Sequence, residues 1–148
     1  MVHALEEIHR LLKPNGVLID IHPISKPSSI EVQQNGKIDL AGYLSVRQWC
    51  VDFEQADNAL AEIVKRGLFY AEQKDSFDTL TYYDSPEEMG TSFEEEIVKY
   101  ARDTGAADEA VPHVEVLVIQ AEELMLIAGS QAKLVRREGN HINRLKPA

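Results

Sequence analysis

The stretch Ala4-Leu5-Glu6-Glu7-Ile8-His9-Arg10-Leu11-Leu12-Lys13-Pro14-Asn15-Gly16-Val17-Leu18-Ile19-Asp20 reads as a helix, a tight turn and a strand in immediate succession. Leu5, Ile8, Leu11 and Leu12 share one face at helical spacing, which predicts a helix over about residues 3–12. Pro14 disfavours helical geometry at Lys13, and Asn15-Gly16 tolerates positive φ, so the helix stops there. Val17-Leu18-Ile19-Asp20-Ile21-His22 is a nearly continuous apolar run. That is the pattern of a strand covered on both faces, usually a parallel strand of an α/β sheet.

Residues 23–29 hold two prolines and three serines and read as a loop. Apolar and polar residues alternate on both sides of Asn35-Gly36, which predicts a β-hairpin over about 30–43. Phe53, Ala56, Leu60, Ile63 and Val64 predict a helix over about 52–66, with Asp52 as N-cap and Gly67 just past its end. Residues 68–83, rich in Phe, Tyr and Thr, predict a long strand. Ser85-Pro86-Glu87-Glu88 opens another helix, with Ser85 as cap and Pro86 in the first turn, and its apolar stripe runs to Gly105. Residues 106–112 read as a linker. Val114, Leu117, Val118, Ala121, Leu124, Met125 and Ala128 recur in steps of three and four, so the period predicts helix despite the β-branched content. Residues 132–145 are expected as one last extended strand, with Gly139-Asn140 a bulge inside it.

Net charge is −10, which argues against nonspecific nucleic-acid binding. Residues 131–148 nevertheless carry a local balance of +4, from Lys133, Arg136, Arg137, Arg144 and Lys146 against Glu138. Laid antiparallel to the acidic strand 68–83, this segment sets arginines opposite carboxylates, each pair worth roughly 0.2–1 kcal/mol. The basic tail then needs no polyanion. No apolar run approaches the roughly 20 residues of a membrane span, and Glu6 and Glu7 interrupt any signal-peptide core. The lone Cys50 excludes an internal disulfide, and a cytoplasmic location is expected. Cys50 itself, between Trp49 and Val51, reads as buried and inert. His3, His9 and His113 lack metal-ligand spacing, and there is no nucleophile elbow or phosphate loop.

Residues 4–23, including the strand end Asp20-Ile21-His22-Pro23, resemble the segment after the cofactor site in class I S-adenosylmethionine-dependent methyltransferases. In that family a helix ending in LLKPNG or LKPGG feeds the fifth strand. The expected order is helix, strand, hairpin, helix, strand, helix, helix, strand. Without the hairpin and the extra helix it resembles the C-terminal part of that fold, where the fifth strand is followed by a helix, a sixth strand and an antiparallel seventh. The resemblance implies an α/β fold (α+β-like) with an incomplete methyltransferase-type sheet and a long antiparallel strand pair, 68–83 with 132–145. It implies one domain over 1–148, the hairpin being an insertion. S-adenosylmethionine is the cofactor that the complete family fold implies. The family holds it with a glycine-rich loop, because the backbone must approach the ligand closely. Here the glycines stand at 16, 36, 42, 67, 90, 105, 129 and 139, so no G-x-G loop exists. The chain alone is therefore expected to bind no cofactor or metal, and to supply no catalytic residue.

Asp20, His22, Tyr43 and Trp49 are the candidate substrate or pocket contacts. His22 sits at the carboxyl end of its strand, where open α/β sheets bind ligands. It reads either as a substrate contact or general base, or as a strand end bonded to the loop. Asp20 is a carboxylate inside an apolar strand and needs partners; it binds substrate or fixes the loop 23–29. Tyr43 and Trp49 flank the hairpin exit, a region that shapes the acceptor pocket in the family, and Trp49 equally fits ordinary core. His141 and Asn143 read as surface ladder residues. Three functions stay open: a C-terminal methyltransferase-like domain inactive alone, half of a split methyltransferase completed by a donor-binding chain, and a small-ligand or protein-binding module reusing the fold. The apolar edge of strand 17–22 is expected to be covered by a second copy, giving a homodimer, or by a partner chain. No nucleic-acid or membrane partner is expected.

Overall fold

A computed structural model describes residues 1–104 and 111–148. Gly105 and the part of the expected linker at 106–110 lie outside the described residues. Among the described residues the fold is mixed α/β, with four helices and an antiparallel open sheet of five strands. The elements run α1 (Val2–Leu11), β1 (Leu18–Pro23), β2 (Ser28–Gln34), β3 (Lys37–Leu44), α2 (Arg47–Lys65), β4 (Phe69–Tyr83), α3 (Pro86–Thr104), α4 (Val111–Ala128) and β5 (Lys133–Pro147). The expected order holds throughout, and β5 passes through Gly139-Asn140 as one strand. No helix among the described residues is long and apolar enough to cross a membrane.

Met1–Ser25, Trp49–Asp78 and Gly139–Ala148 form one compact unit. Its core joins Leu5 of α1, Ala59, Leu60 and Ile63 of α2, Phe69 of β4 and Leu145 of β5, with Val2, Ile8, Leu12 and Leu18 packed around them. The helical stripes read from sequence are thus the faces that pack, except at their ends, where Leu11 is 70% and Val64 37% exposed. α2 ends as its residues dictate. Gly67 takes φ +71°, its amide donates to the Val64 carbonyl, and the Leu68 amide donates to Ile63, the paired bonds of a Schellman stop. Its start differs from expectation. The helix begins at Arg47, and Asp52 lies inside it rather than at its cap. Trp49, four residues before Phe53, extends the inward stripe by a turn, and both Trp49 and Cys50 are half-buried.

β1 pairs antiparallel with β5, placing Leu18 opposite Leu145, Asp20 opposite Asn143 and His22 opposite His141. This corrects the expected parallel strand covered on both faces. Leu18 packs toward the core, whereas Ile19 and Ile21 alternate with it and remain 52% and 56% exposed. β1 also ends the pairing order, so its second edge meets no strand among the described residues. β4 pairs with β5, and Glu72 accepts Arg144 at 2.6 Å and Lys146 at 2.5 Å, as the charge pattern predicts.

Lys26–Gln48 and Thr79–Glu138 form the second unit. Its hairpin turns at Asn35 (φ 51°) and Gly36 (φ 81°), the double positive φ that Asn-Gly supplies at little steric cost. β2 pairs on its other edge with β5, Ser29 opposite Arg137 through Gln33 opposite Lys133. α4 packs against β2, β3 and α3. Ile30, Val32, Met89, Phe93, Val114, Leu117, Leu134 and Val135 are buried here. The cap of α3 forms as read: the Glu88 amide donates to Ser85 Oγ, and Glu88 Oε2 accepts from the Asp84 amide. The basic residues of β5 also find carboxylates beyond the acidic strand. Arg136 pairs with Glu96 of α3 at 2.9 Å and with Glu138 at 3.1 Å, and Arg137 pairs with Glu31 of β2 at 2.9 Å.

α3 and α4 approach closely at Gly90, where a Cβ would stand 2.7 Å from Val118 Cγ2. Gly90→Ala gains about 1 kcal/mol of helix propensity but overpacks this contact at a cost of about 1–3 kcal/mol. The expected net is a loss of up to about 2 kcal/mol, read as a lower urea midpoint at unchanged slope. A raised midpoint overturns it.

Candidate functional site

Asp20 and His22 stand two residues apart on β1 and therefore point to the same face. The register with β5 sets Asn143 and His141 opposite them on that face. Asp57, on the border of the buried stripe of α2, meets the same group. His22 Nδ1 lies 2.7 Å from Asp20 Oδ2, which also accepts from Asn143 Nδ2 at 2.9 Å. On its other side, His22 Nε2 is 3.4 Å from Asp57 Oδ1. His141 Nε2 is 3.9 Å from Asp57 Oδ2, and Lys74 Nζ is 3.9 Å from Asp57 Oδ1. The two imidazoles meet edge to face, with centroids 5.6 Å apart.

An ionised carboxylate only accepts, so the Asp20 contact puts the neutral imidazole's proton on Nδ1. Nε2 is then the basic nitrogen. It is buried and, among the described residues, makes no hydrogen bond, and the same is true of His141 Nδ1. A buried polar atom left unpaired costs about 1–3 kcal/mol. A proton taken up at Nε2 faces the Asp57 carboxylate, which is 35% exposed and leads to solvent. The arrangement can hold one imidazole in a fixed tautomer and accept a proton on it.

No family model, curated protein or solved structure matches this chain.

The structure brings together two of the four residues singled out from sequence, Asp20 and His22. Tyr43 lies on β3 in the second unit and is 58% exposed. Trp49 lies half-buried in the first turns of α2. His141 and Asn143 are not the surface ladder residues that sequence suggested. They share the inward parity of Leu145, and Asn143 is 7% exposed. Asp57 and Lys74 were not legible as site residues, since each lies on an ordinary amphipathic element. The parity of 141, 143 and 145 was the one available signal. No group of three His, Cys, Asp or Glu among the described residues is placed to hold a metal ion. The expected loop 23–29 is only residues 24–27, between β1 and β2, and Ser25 ties it down, its Oγ donating to the Cys50 carbonyl at 2.8 Å, whereas the Asp20 carboxylate serves His22 and Asn143.

Proposed function

We propose that this chain is a C-terminal methyltransferase-like module that supplies the acceptor side of a S-adenosylmethionine-dependent methyltransferase. It holds no donor by itself, and a separate donor-binding chain completes it in the cytoplasm. Residues 4–23 and the element order support this reading, as does a final strand running antiparallel to β1. The observation that carries it is the Asp20-held His22 at the carboxyl end of β1, with a buried Nε2 that makes no hydrogen bond among the described residues. S-adenosylmethionine, held by the donor-binding chain, would supply the methyl group, and the acceptor's proton would pass to the Asp20-held imidazole of His22. The unpaired edge of β1 is where a strand of the donor-binding chain, or of a second copy, adds.

Calorimetric titration of the chain alone with S-adenosylmethionine is expected to show no binding, and micromolar binding overturns the absence of a donor site. The chain is then isolated from its native cells with whatever copurifies and given a donor labelled in the methyl group. Transfer by the complex, with none by the chain alone, supports the assignment. A complex that transfers no label overturns it.

A further inference from the structure

α4 is apolar nearly all round, a composition normally found in helices that are covered on every side. Its unit does not cover it. Ile119 is 55% exposed, and Leu126 and Ile127 are 83% and 82% exposed. Two contiguous grooves run along this helix and share Glu122. The first, about 470 Å³, lies between α3 and α4 over Gly90, Val118 and Ile119. The second, about 500 Å³, continues past Met125 and Leu126 to Ser130. Together they follow α4 for about 20 Å, or some four helical turns. Close packing at Gly90 makes the floor of the first groove: with no side chain there, α3 and Val118 approach without filling it.

The rim decides what fits. Glu87, Glu94, Glu115 and Glu122 line the grooves, and no described Lys or Arg does. Among the described residues none of these four carboxylates makes an ion pair. A second copy laid symmetrically on this face would set the same carboxylates against one another. An apolar stripe flanked by cations would neutralise them while filling the floor.

We infer that the α3–α4 face is a docking surface for a cationic amphipathic helix of another protein, its apolar side chains at i, i+3, i+4 and i+7 lying along α4 and its Lys or Arg side chains meeting the four glutamates. This inference stands apart from the methyltransferase reading, since every residue it uses belongs to the second unit.

The probe is a fluorescein-labelled synthetic helix of about 18 residues built from leucine and lysine in that pattern, with a leucine–glutamate helix as its counterpart. By anisotropy the lysine helix is expected to bind at least about tenfold more tightly than the glutamate helix, and to weaken as salt is raised. Glu122→Lys and Leu126→Gln are each expected to weaken it about threefold to tenfold. Glu54→Lys, an exposed charge reversal on α2, is expected to leave it unchanged. All three side chains are exposed, so folding is preserved. Equal affinity for both helices, or equal effects of Glu122→Lys and Glu54→Lys, overturns the inference. So does a dimer in sedimentation that Leu126→Gln dissolves, since that outcome assigns the face to a second copy.

Discussion

Arg137→Ala is expected to cost about 1–3 kcal/mol, the penalty for leaving a buried polar group without its partner, because Arg137 itself is 32% exposed. The reason lies in what it leaves behind. Glu31 is 6% exposed, and its carboxylate takes Arg137 through both oxygens, at 2.9 and 3.2 Å. Without the guanidinium a charged carboxylate stays buried in the β2–β5 ladder. Ser29 and Gln33 still donate to it, each at 2.8 Å, and keep the loss from the top of the range. Replacing both partners, Glu31→Met with Arg137→Met, is expected to recover most of the loss, because no charge is then stranded. Urea unfolding of the single and double variants checks this. Additive losses overturn it.

The same pair gives stability a pH dependence. The Arg137 hydrogen bond holds the Glu31 carboxyl below its usual value, outweighing the opposing effect of burial. A carboxylate lowered on folding contributes stability that is fully present above its unfolded value and is lost as pH falls through the folded one. The wild-type protein is therefore expected to lose stability on acidification below the ordinary carboxylate range, and the double variant to lose less.

On the proposed function, His22→Gln in the complex with a donor-binding chain is expected to lower kcat for methyl transfer by about 10²–10⁴ with little change in KM. Glutamine keeps an amide N–H for Asp20 but offers no basic nitrogen where Nε2 stands. Asp57→Asn is expected to cost less, because Asp57 meets the proton only after His22 has taken it. Copurification of the partner is measured alongside, since His22 is 8% exposed and also ties β1 to α2. A His22→Gln complex that forms and keeps more than about a tenth of the activity makes His22 a joint between elements rather than a base.

Local chemistry determined most of the elements. The Leu5–Ile8 stripe, the Asn35-Gly36 turn, the Gly67 stop and the Ser85–Glu88 cap each act within a few residues, so they can be read without knowing what packs against them. The start of α2 was misread for the converse reason. Asp52 looks like a cap locally, but the helix runs back to Arg47 and takes in the half-buried Trp49. Of the candidate site, only Asp20 and His22 were legible, as neighbours on one strand. Asn143 reaches Asp20 across 123 residues, and Asp57 comes from a helix that sequence marks only as amphipathic. Strand register decides that meeting. A slip of one residue between β1 and β5 would turn His141 and Asn143 to the opposite face, and nothing inside either strand fixes that choice. The buried core around Phe69 and Leu145 excludes that slip, because it could not keep Leu18 and Leu145 inside together. The sequence thus determined which segments are helix and strand, whereas the tertiary structure decided which polar groups the apolar packing brings face to face.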